Sequence, residues 1–280
     1  MSVWLPAAPC TPSGCVEPTG AATAVPRAVL RLTALALLVL AGVALLPIGR
    51  RVPAGLVSRW CRWIVRAAGV RVRVTGAAPP TGGLLLVANH ISWLDIPLLG
   101  AVRPARMLAK SEIRRWPVAG RLVGRSGVLF IDRDRLRALP DTVARIAGAL
   151  REGAAVAAFP EGSTWCGRRQ GSFRRAVFQA ALDAGAPVQP VRIHYRSAHG
   201  TPATAAAFVG DDTLFASLWR VVAARGLIAE VEVRAAITPG THFDRRALAA
   251  AAQPPTGDLG RDHPAEDVRR GPPEVSAVEN

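Results

Sequence analysis

Residues Gly83-Leu84-Leu85-Leu86-Val87-Ala88-Asn89-His90-Ile91-Ser92-Trp93-Leu94-Asp95 pass from an unbroken apolar run straight into polar side chains. The run Gly83–Val87 lacks the alternation of a half-exposed strand, so it predicts a strand covered on both faces. Outward from it, Val70–Val74, Ala154–Phe159, Pro187–Ile193 and Glu230–Ile237 also read as short strands. Leu136–Arg151 and Phe173–Ala184 carry helical periodicity between them. Apolar strands alternating with helices predict an α/β domain with a mixed, largely parallel sheet flanked by helices.

Open α/β sheets gather their functional groups at strand ends and in the loops that follow. Four stretches lie at such places. His90 follows the central strand directly, and Asp95 comes five residues later, close enough to fold back in a turn. A histidine titrates near neutrality and can take a proton from a hydroxyl, while a carboxylate fixes its tautomer. Ser92 is too near His90 in sequence to be its nucleophile, so the hydroxyl is expected on the substrate. The other reading is a loop histidine with Asp95 as a structural helix residue. The second stretch, Gly127-Val128-Leu129-Phe130-Ile131-Asp132-Arg133, ends a strand in an arginine whose planar fork suits a phosphate, or else simply runs out to solvent. The third, Phe159-Pro160-Glu161-Gly162-Ser163-Thr164, offers a carboxylate, a permissive glycine and two hydroxyls ahead of Arg168, Arg169, Arg174 and Arg175, or is a plain turn before a basic helix. The fourth, Pro187–Ile193, could wall a pocket. Lys110 is the one lysine among 35 basic residues. A compact ammonium kept where arginine is otherwise used suits an oxyanion; chance survival is the alternative.

The 280-residue chain is half apolar and carries a formal net charge of +15. Such charge favours anionic partners without choosing among nucleic acid, anionic lipid and phosphorylated small molecules. The arginines are not interleaved with exposed aromatics on a recognisable module, which argues against nucleic acid. Cys10, Cys15, Cys61 and Cys166 form no Cys-x-x-Cys pair and sit at no metal-ligand spacing from a histidine pair, so neither a metal site nor a disulfide framework is expected. Residues 1–26, rich in Pro, Ala, Thr and Gly, are expected to be a disordered extension. Leu32 to Gly49 is free of charge and long enough for about 27 Å of helix, close to a bilayer's roughly 30 Å core. With Leu56, Val57, Trp60, Trp63, Ile64 and Ala67 on one face of a following helix and Arg59, Arg62 and Arg66 opposite, residues 27–69 are expected to anchor the chain to a membrane. The alternative for this second helix is packing on the protein's own core. A domain over 70–252 and a Pro-, Gly- and charge-rich disordered tail over 253–280 complete the organisation.

Taken together and in order, the four stretches resemble the lysophosphatidic acid acyltransferase family, the 1-acyl-sn-glycerol-3-phosphate acyltransferases. The resemblance covers roughly residues 70–195: a histidine-x4-aspartate block at His90 and Asp95, a Gly-x-x-Phe-x-x-Arg block at Gly127, Phe130 and Arg133, a Phe-Pro-Glu-Gly block at Phe159 to Gly162, and a proline-containing strand with Pro190. It implies that His90, oriented by Asp95, deprotonates an acceptor hydroxyl that attacks the thioester of acyl-CoA or acyl-carrier protein. It implies that Arg133, Glu161, Gly162 and Ser163 hold the acceptor's head, with no metal or bound cofactor. The implied setting is the cytoplasmic face of the cell membrane, with the bilayer, the acyl donor and a lysophospholipid as partners. The product would be phosphatidic acid from 1-acyl-glycerol-3-phosphate. The chain departs from the family where many members read Glu-Gly-Thr-Arg: here Glu161-Gly162-Ser163-Thr164-Trp165 has no arginine, and Arg168 or Arg169 would have to replace it. This variant also looks like the branch that acylates lyso-ornithine lipids. A non-catalytic basic membrane-binding protein is the rival from another class.

Overall fold

The computed structural model describes residues 8–17, 22–45, 52–110, 129–131 and 136–254. Its sheet contains β1 (Arg71–Gly76), β2 (Leu84–Ala88), β3 (Arg106–Lys110), β4 (Leu129–Ile131), β5 (Ala155–Ala158), β6 (Val188–Arg196) and β7 (Ile228–Val233), in the order β1-β7-β6-β2-β5-β3-β4. Every neighbouring pair is parallel except β6 with β7. β2 is central, and all five of its residues are buried. Its side chains alternate between two cores. Leu84, Leu86 and Ala88 join one apolar cluster, and Leu85 and Val87 join the other. Each such buried leucine is worth roughly 1.5–3 kcal/mol, so this strand keeps its register.

The first core is covered by α1 (Val25–Leu45), α2 (Ala54–Ala67), α3 (Asp95–Val102) and α6 (Leu214–Ala223); the second by α4 (Leu139–Arg151), α5 (Ala176–Ala184) and α7 (Arg245–Ala252). Thr213 caps α6, its hydroxyl accepting from Ala216 N at 3.2 Å, and Asp244 caps α7, accepting from the N–H groups of Arg246 and Ala247. The mixed, largely parallel α/β sheet is therefore as the sequence predicts.

α1 is long and apolar enough to cross a membrane, with a mean hydropathy of 2.4, and it leaves Leu30, Leu37 and Leu40 exposed. Its other side is fastened to the domain. Arg31 donates to the carbonyls of Val222 and Ala224, and Arg27 to that of Ala223, so two guanidiniums meet the negative end of α6. An exposed apolar helix on a folded domain indicates membrane association. The stretch from residue 46 to 51, which holds Pro47 and Gly49, lies outside the described residues.

Three expectations are altered. The buried stripe of α2 is Ser58, Cys61, Ile64 and Val65, which sets the helix against α3; Trp63 is exposed. The helix thus packs on the protein's own core, with Trp60 against it and its Nε1 donating to Leu38 O at 2.9 Å, while Trp63 and the three arginines face outward. Residues 8–17, expected to be disordered, lie on the domain with Cys10 buried. Gln253 and Pro254, assigned to the tail, bond the loop at 170–173. Neither segment has an apolar period, so composition alone hid their contacts. The rest of the tail, 255–280, lies outside the described residues.

Candidate active site

Because β2, β5, β3, β4 and β6 are mutually parallel, the four sequence blocks end at one edge of the sheet. Asn89 begins the site by extending β2 with its side chain. Its Oδ1 accepts from Ile193 N at 2.8 Å and its Nδ2 donates to Ile193 O at 2.9 Å, as a strand residue would. The chain then turns, and His90 and Asp95 meet: His90 Nδ1 lies 2.9 Å from Asp95 Oδ2. The same oxygen accepts from the N–H groups of Ile91 and Ser92 at 2.7 and 2.8 Å, which closes the turn and starts α3. Asp95 is fully buried, while the His90 side chain keeps 20% of its surface exposed. A carboxylate that receives these N–H groups places the imidazole proton on Nδ1. Nε2 is then free to accept a proton. The ring is further fixed by stacking on Phe159 at 3.9 Å between centroids. Ser92 is buried and bonds Leu94 N, as expected of a residue that is not the nucleophile.

Tyr195 is a member of the site that sequence reasoning missed. From β6 its phenol donates to Asp95 Oδ1 at 2.7 Å, and it is buried. Burial first, and then the Asp95 charge, hold its ionisation well above the ordinary tyrosine range, so it stays a donor. Tyr195→Phe leaves that carboxylate oxygen unpaired in a dry site. It is expected to cost about 1–3 kcal/mol of stability and to lower kcat roughly tenfold. Thermal unfolding and steady-state rates, measured together, check this.

Glu161 has a different place from the one the family resemblance implies. It is buried, and both of its oxygens are taken: Oε2 accepts from His90 N at 2.7 Å and Oε1 from Gly171 N at 2.9 Å. The carboxyl thus ties the backbone of His90 to the loop that Gln253 holds from the other side. Burial pushes this carboxyl up to about 8, against those two N–H bonds and with the Asp95 charge adding to the rise. A raised carboxyl stabilises the fold fully below its ordinary value near 4.5. As pH climbs through that value, the unfolded chain sheds its proton first. Stability therefore falls until the folded group titrates near 8, at up to about 1.4 kcal/mol per pH unit. Glu161→Gln should remove this share of the slope between pH 5 and 8. It should also leave one of the two N–H groups facing an amide NH2, at about 1–3 kcal/mol. Unfolding midpoints of the two proteins across that range are the check.

Gly162 follows at φ +78, a conformation glycine accepts without strain, and its N–H donates to Phe159 O at 3.1 Å. Ser163 is half-buried beside it. Thr164 turns its hydroxyl to Phe208 O, and Trp165 N donates to His90 O at 2.7 Å. A cleft of about 220 Å³ opens here, lined by His90, Glu161, Trp165, Arg169 and His194. Of the two arginines considered as replacements, Arg169 faces this cleft, whereas Arg168 pairs with Glu17 at 2.7 Å. Lys110 ends β3, two strands from β2 and so about 10 Å across the sheet, but its side chain lies outside what is described. Arg133 lies outside the described residues, just beyond β4.

A partly exposed histidine on a buried aspartate, at the carboxyl edge of such a sheet and beside an exposed apolar helix, is an arrangement suited to acyl transfer onto a lipid hydroxyl. A family model for acyltransferases matches residues 70–194. The chain is 40% identical over 201 residues to the lyso-ornithine lipid O-acyltransferase of Pseudomonas aeruginosa, covering 70% of this chain and 75% of that one. It is 35% identical over 188 residues to the 1-acyl-sn-glycerol-3-phosphate acyltransferase of Neisseria meningitidis serogroup B, covering 67% and 73%. Its fold matches the crystal structure of the 1-acyl-sn-glycerophosphate (LPA) acyltransferase from Thermotoga maritima with a TM-score of 0.52 at 20% identity, covering 71% and 74%. The chain belongs to the 1-acyl-sn-glycerol-3-phosphate acyltransferase family and is a lysolipid O-acyltransferase.

Proposed function

We propose that the protein transfers a fatty acyl group from acyl-CoA or acyl-carrier protein to the free hydroxyl of a lyso-ornithine lipid. His90 Nε2 takes the hydroxyl proton, the alkoxide attacks the thioester carbon, and the thiolate leaves with a proton returned from His90. Asp95 holds the imidazole throughout, and Glu161, tied to the His90 and Gly171 backbones, acts as a positioning residue. The observation that carries the choice of acceptor is Thr164. Where many family members have an arginine for the head group, this chain has a hydroxyl bound to the Phe208 carbonyl. Among the described residues Arg169 is the arginine lining the cleft, and one planar fork matches one carboxylate, which an ornithine head carries, better than a phosphate of nearly two charges. The 40% relative from Pseudomonas and a further lyso-ornithine lipid O-acyltransferase from Rhizobium meliloti at 34% support the same acceptor.

The second reading, 1-acyl-glycerol-3-phosphate giving phosphatidic acid, is favoured by the Neisseria relatives at 35% and 37%. For either acceptor, an apolar groove of about 2120 Å³, open to solvent and lined by Leu35, Val39, Trp60, Ile64 and Trp93, suits a fatty acyl chain. Trp93, three residues from His90 in the sequence, is among its lining residues. The exposed leucines of α1, with Trp63 and Phe215, would lie in the bilayer and leave the catalytic edge at the cytoplasmic surface.

The test is a competition. Purified full-length protein receives acyl-CoA, or acyl-carrier protein, with equal amounts of lyso-ornithine lipid and 1-acyl-glycerol-3-phosphate, and products are weighed by mass spectrometry. Acylation of lyso-ornithine lipid at least about tenfold faster is the expected result, with Arg169→Ala raising KM for that acceptor roughly tenfold, the worth of one charge-assisted contact. Faster acylation of the phosphate acceptor selects the second reading. No product from either acceptor overturns both.

A further inference from the structure

Three of the four cysteines take no part in the chemistry above, and the fold brings them together. The sulfurs of Cys10, Cys15 and Cys166 all lie within 4.8 Å of one another. Cys10 and Cys166 are buried, and Cys15 keeps one side toward solvent. They come from distant parts of the sequence, the first two from the segment 8–17 and the third from the loop after Trp165.

Local structure fixes each arm. Thr11 caps the helical turn Pro12–Cys15, its hydroxyl accepting from Gly14 N at 3.2 Å, and Cys15 N donates to Thr11 O at 3.0 Å. That turn folds Cys15 back onto Cys10. The segment is then fastened to the domain. Glu17 N donates to the Thr204 hydroxyl at 3.0 Å, and the Glu17 carboxylate pairs with Arg168 at 2.7 Å. The Cys10 carbonyl sits over Gly210, where a Cβ would approach within 3.0 Å of it. The thiols are held at their meeting point by contacts that do not involve the sulfurs themselves.

Small buried thiols can pack simply as apolar groups. Three sulfurs converging on one point with an open side do more than fill space. Zinc–thiolate bonds of about 2.3 Å at tetrahedral angles set sulfurs about 3.8 Å apart, so the present spacing needs at most about 1 Å of closure. Among the described residues these three are the ligands of the cluster, which leaves the fourth position to solvent on the Cys15 side. We propose that Cys10, Cys15 and Cys166 bind one zinc ion as three thiolates, clasping the N-terminal segment to the catalytic loop. Each thiol gives its proton to solvent as its sulfur–zinc bond forms, so three protons leave per ion bound. Soft thiolates select zinc over magnesium or calcium, which prefer oxygen. Each thiol must lose its proton to bind, so uptake strengthens as pH rises. The clasp acts next to the site: Cys166 follows Trp165, whose N–H holds the His90 carbonyl. The ion takes no part in acyl transfer, and its detection does not depend on which lipid is the acceptor.

The full-length protein, purified in detergent under reducing conditions and stripped with a chelator, is titrated with Co²⁺ and then Zn²⁺. One equivalent of Co²⁺ should give a thiolate-to-metal charge-transfer band that Zn²⁺ abolishes. Cys10→Ser, Cys15→Ser and Cys166→Ser should each weaken zinc at least tenfold, whereas Cys61→Ser leaves it unchanged. Should a variant fail to fold, the unmodified chain still decides the matter: bound zinc must shield three of its four thiols from alkylation. The proposal is overturned by zinc well below one equivalent without a thiolate band, by binding that survives the three serine variants, or by alkylation that zinc does not slow. A Cys10–Cys166 disulfide that, once reduced, yields thiols taking up no metal would equally overturn it.

Discussion

His90→Ala should lower acyl transfer by roughly 10²–10⁴-fold while the protein stays folded and bound to membranes. The rate falls because the two carboxylates nearest His90 are not placed to do its work. Glu161 has both oxygens on backbone N–H groups, and Asp95 is fully buried behind the imidazole. The fold survives because His90 supplies one of four donors to Asp95. Ile91 N, Ser92 N and the Tyr195 phenol remain. The stacking on Phe159 is also lost, so a stability loss of about 1 kcal/mol is expected from a half-exposed contact. The measurement is acylated product per unit time in vesicles, with circular dichroism and flotation on the same sample. Unchanged transfer would make the histidine a turn residue and place the base of the reaction elsewhere.

The sequence makes His90 and Asp95 legible because their pairing is local. A strand ends, the chain turns, and five residues bring the carboxylate back to the imidazole. β2 is legible for a related reason: a strand buried on both faces is apolar at every position. What stays hidden is whatever depends on register between distant segments. Tyr195 reaches Asp95 only because β6 lies beside β2, with Ala88 opposite Val191. Nothing local marks that tyrosine except its being the chain's only one. The role of Glu161 inverts on folding for the same reason. As a carboxylate in a glycine-bearing loop it reads as a ligand for substrate, yet parallel β2 and β5 bring it under the His90 backbone. The cysteines show the limit most sharply. Spacing rules look for ligands close in sequence, and Cys166 joins Cys10 and Cys15 from a distant stretch of the chain. Composition misleads at residues 8–17 and at Gln253, where a few hydrogen bonds and, in the first, the packing of Ala8, Cys10, Cys15 and Val16 on the core hold the chain down.

Asp95→Asn separates what the carboxylate does for the turn from what it does for the reaction. Oδ2 accepts three N–H groups, from His90 Nδ1, Ile91 and Ser92, and Oδ1 accepts the Tyr195 hydroxyl. An asparagine has one carbonyl oxygen, and the fan of three donors selects it for the Oδ2 position. Its NH2 then faces the Tyr195 oxygen, which can accept while its own hydrogen turns to Ser92, already a hydrogen-bond partner. One amide hydrogen is left over, but the three N–H groups and the phenol keep partners, so the turn holds and Nδ1 still carries its proton. The negative charge alone is lost. At about 4 Å and an effective dielectric near 20, that charge is worth roughly 4 kcal/mol to the imidazolium formed as His90 takes the acceptor's proton. At about 1.4 kcal/mol per factor of ten, kcat should fall roughly 10²–10³-fold, with KM within about threefold and the unfolding midpoint within a few degrees. Asp95→Ala should behave differently, since it strands two backbone N–H groups and a phenol in a dry site, at several kcal/mol of stability. An Asp95→Asn protein that keeps more than about a tenth of the wild-type rate would make Asp95 a brace for the turn and leave His90 to act without a charged partner.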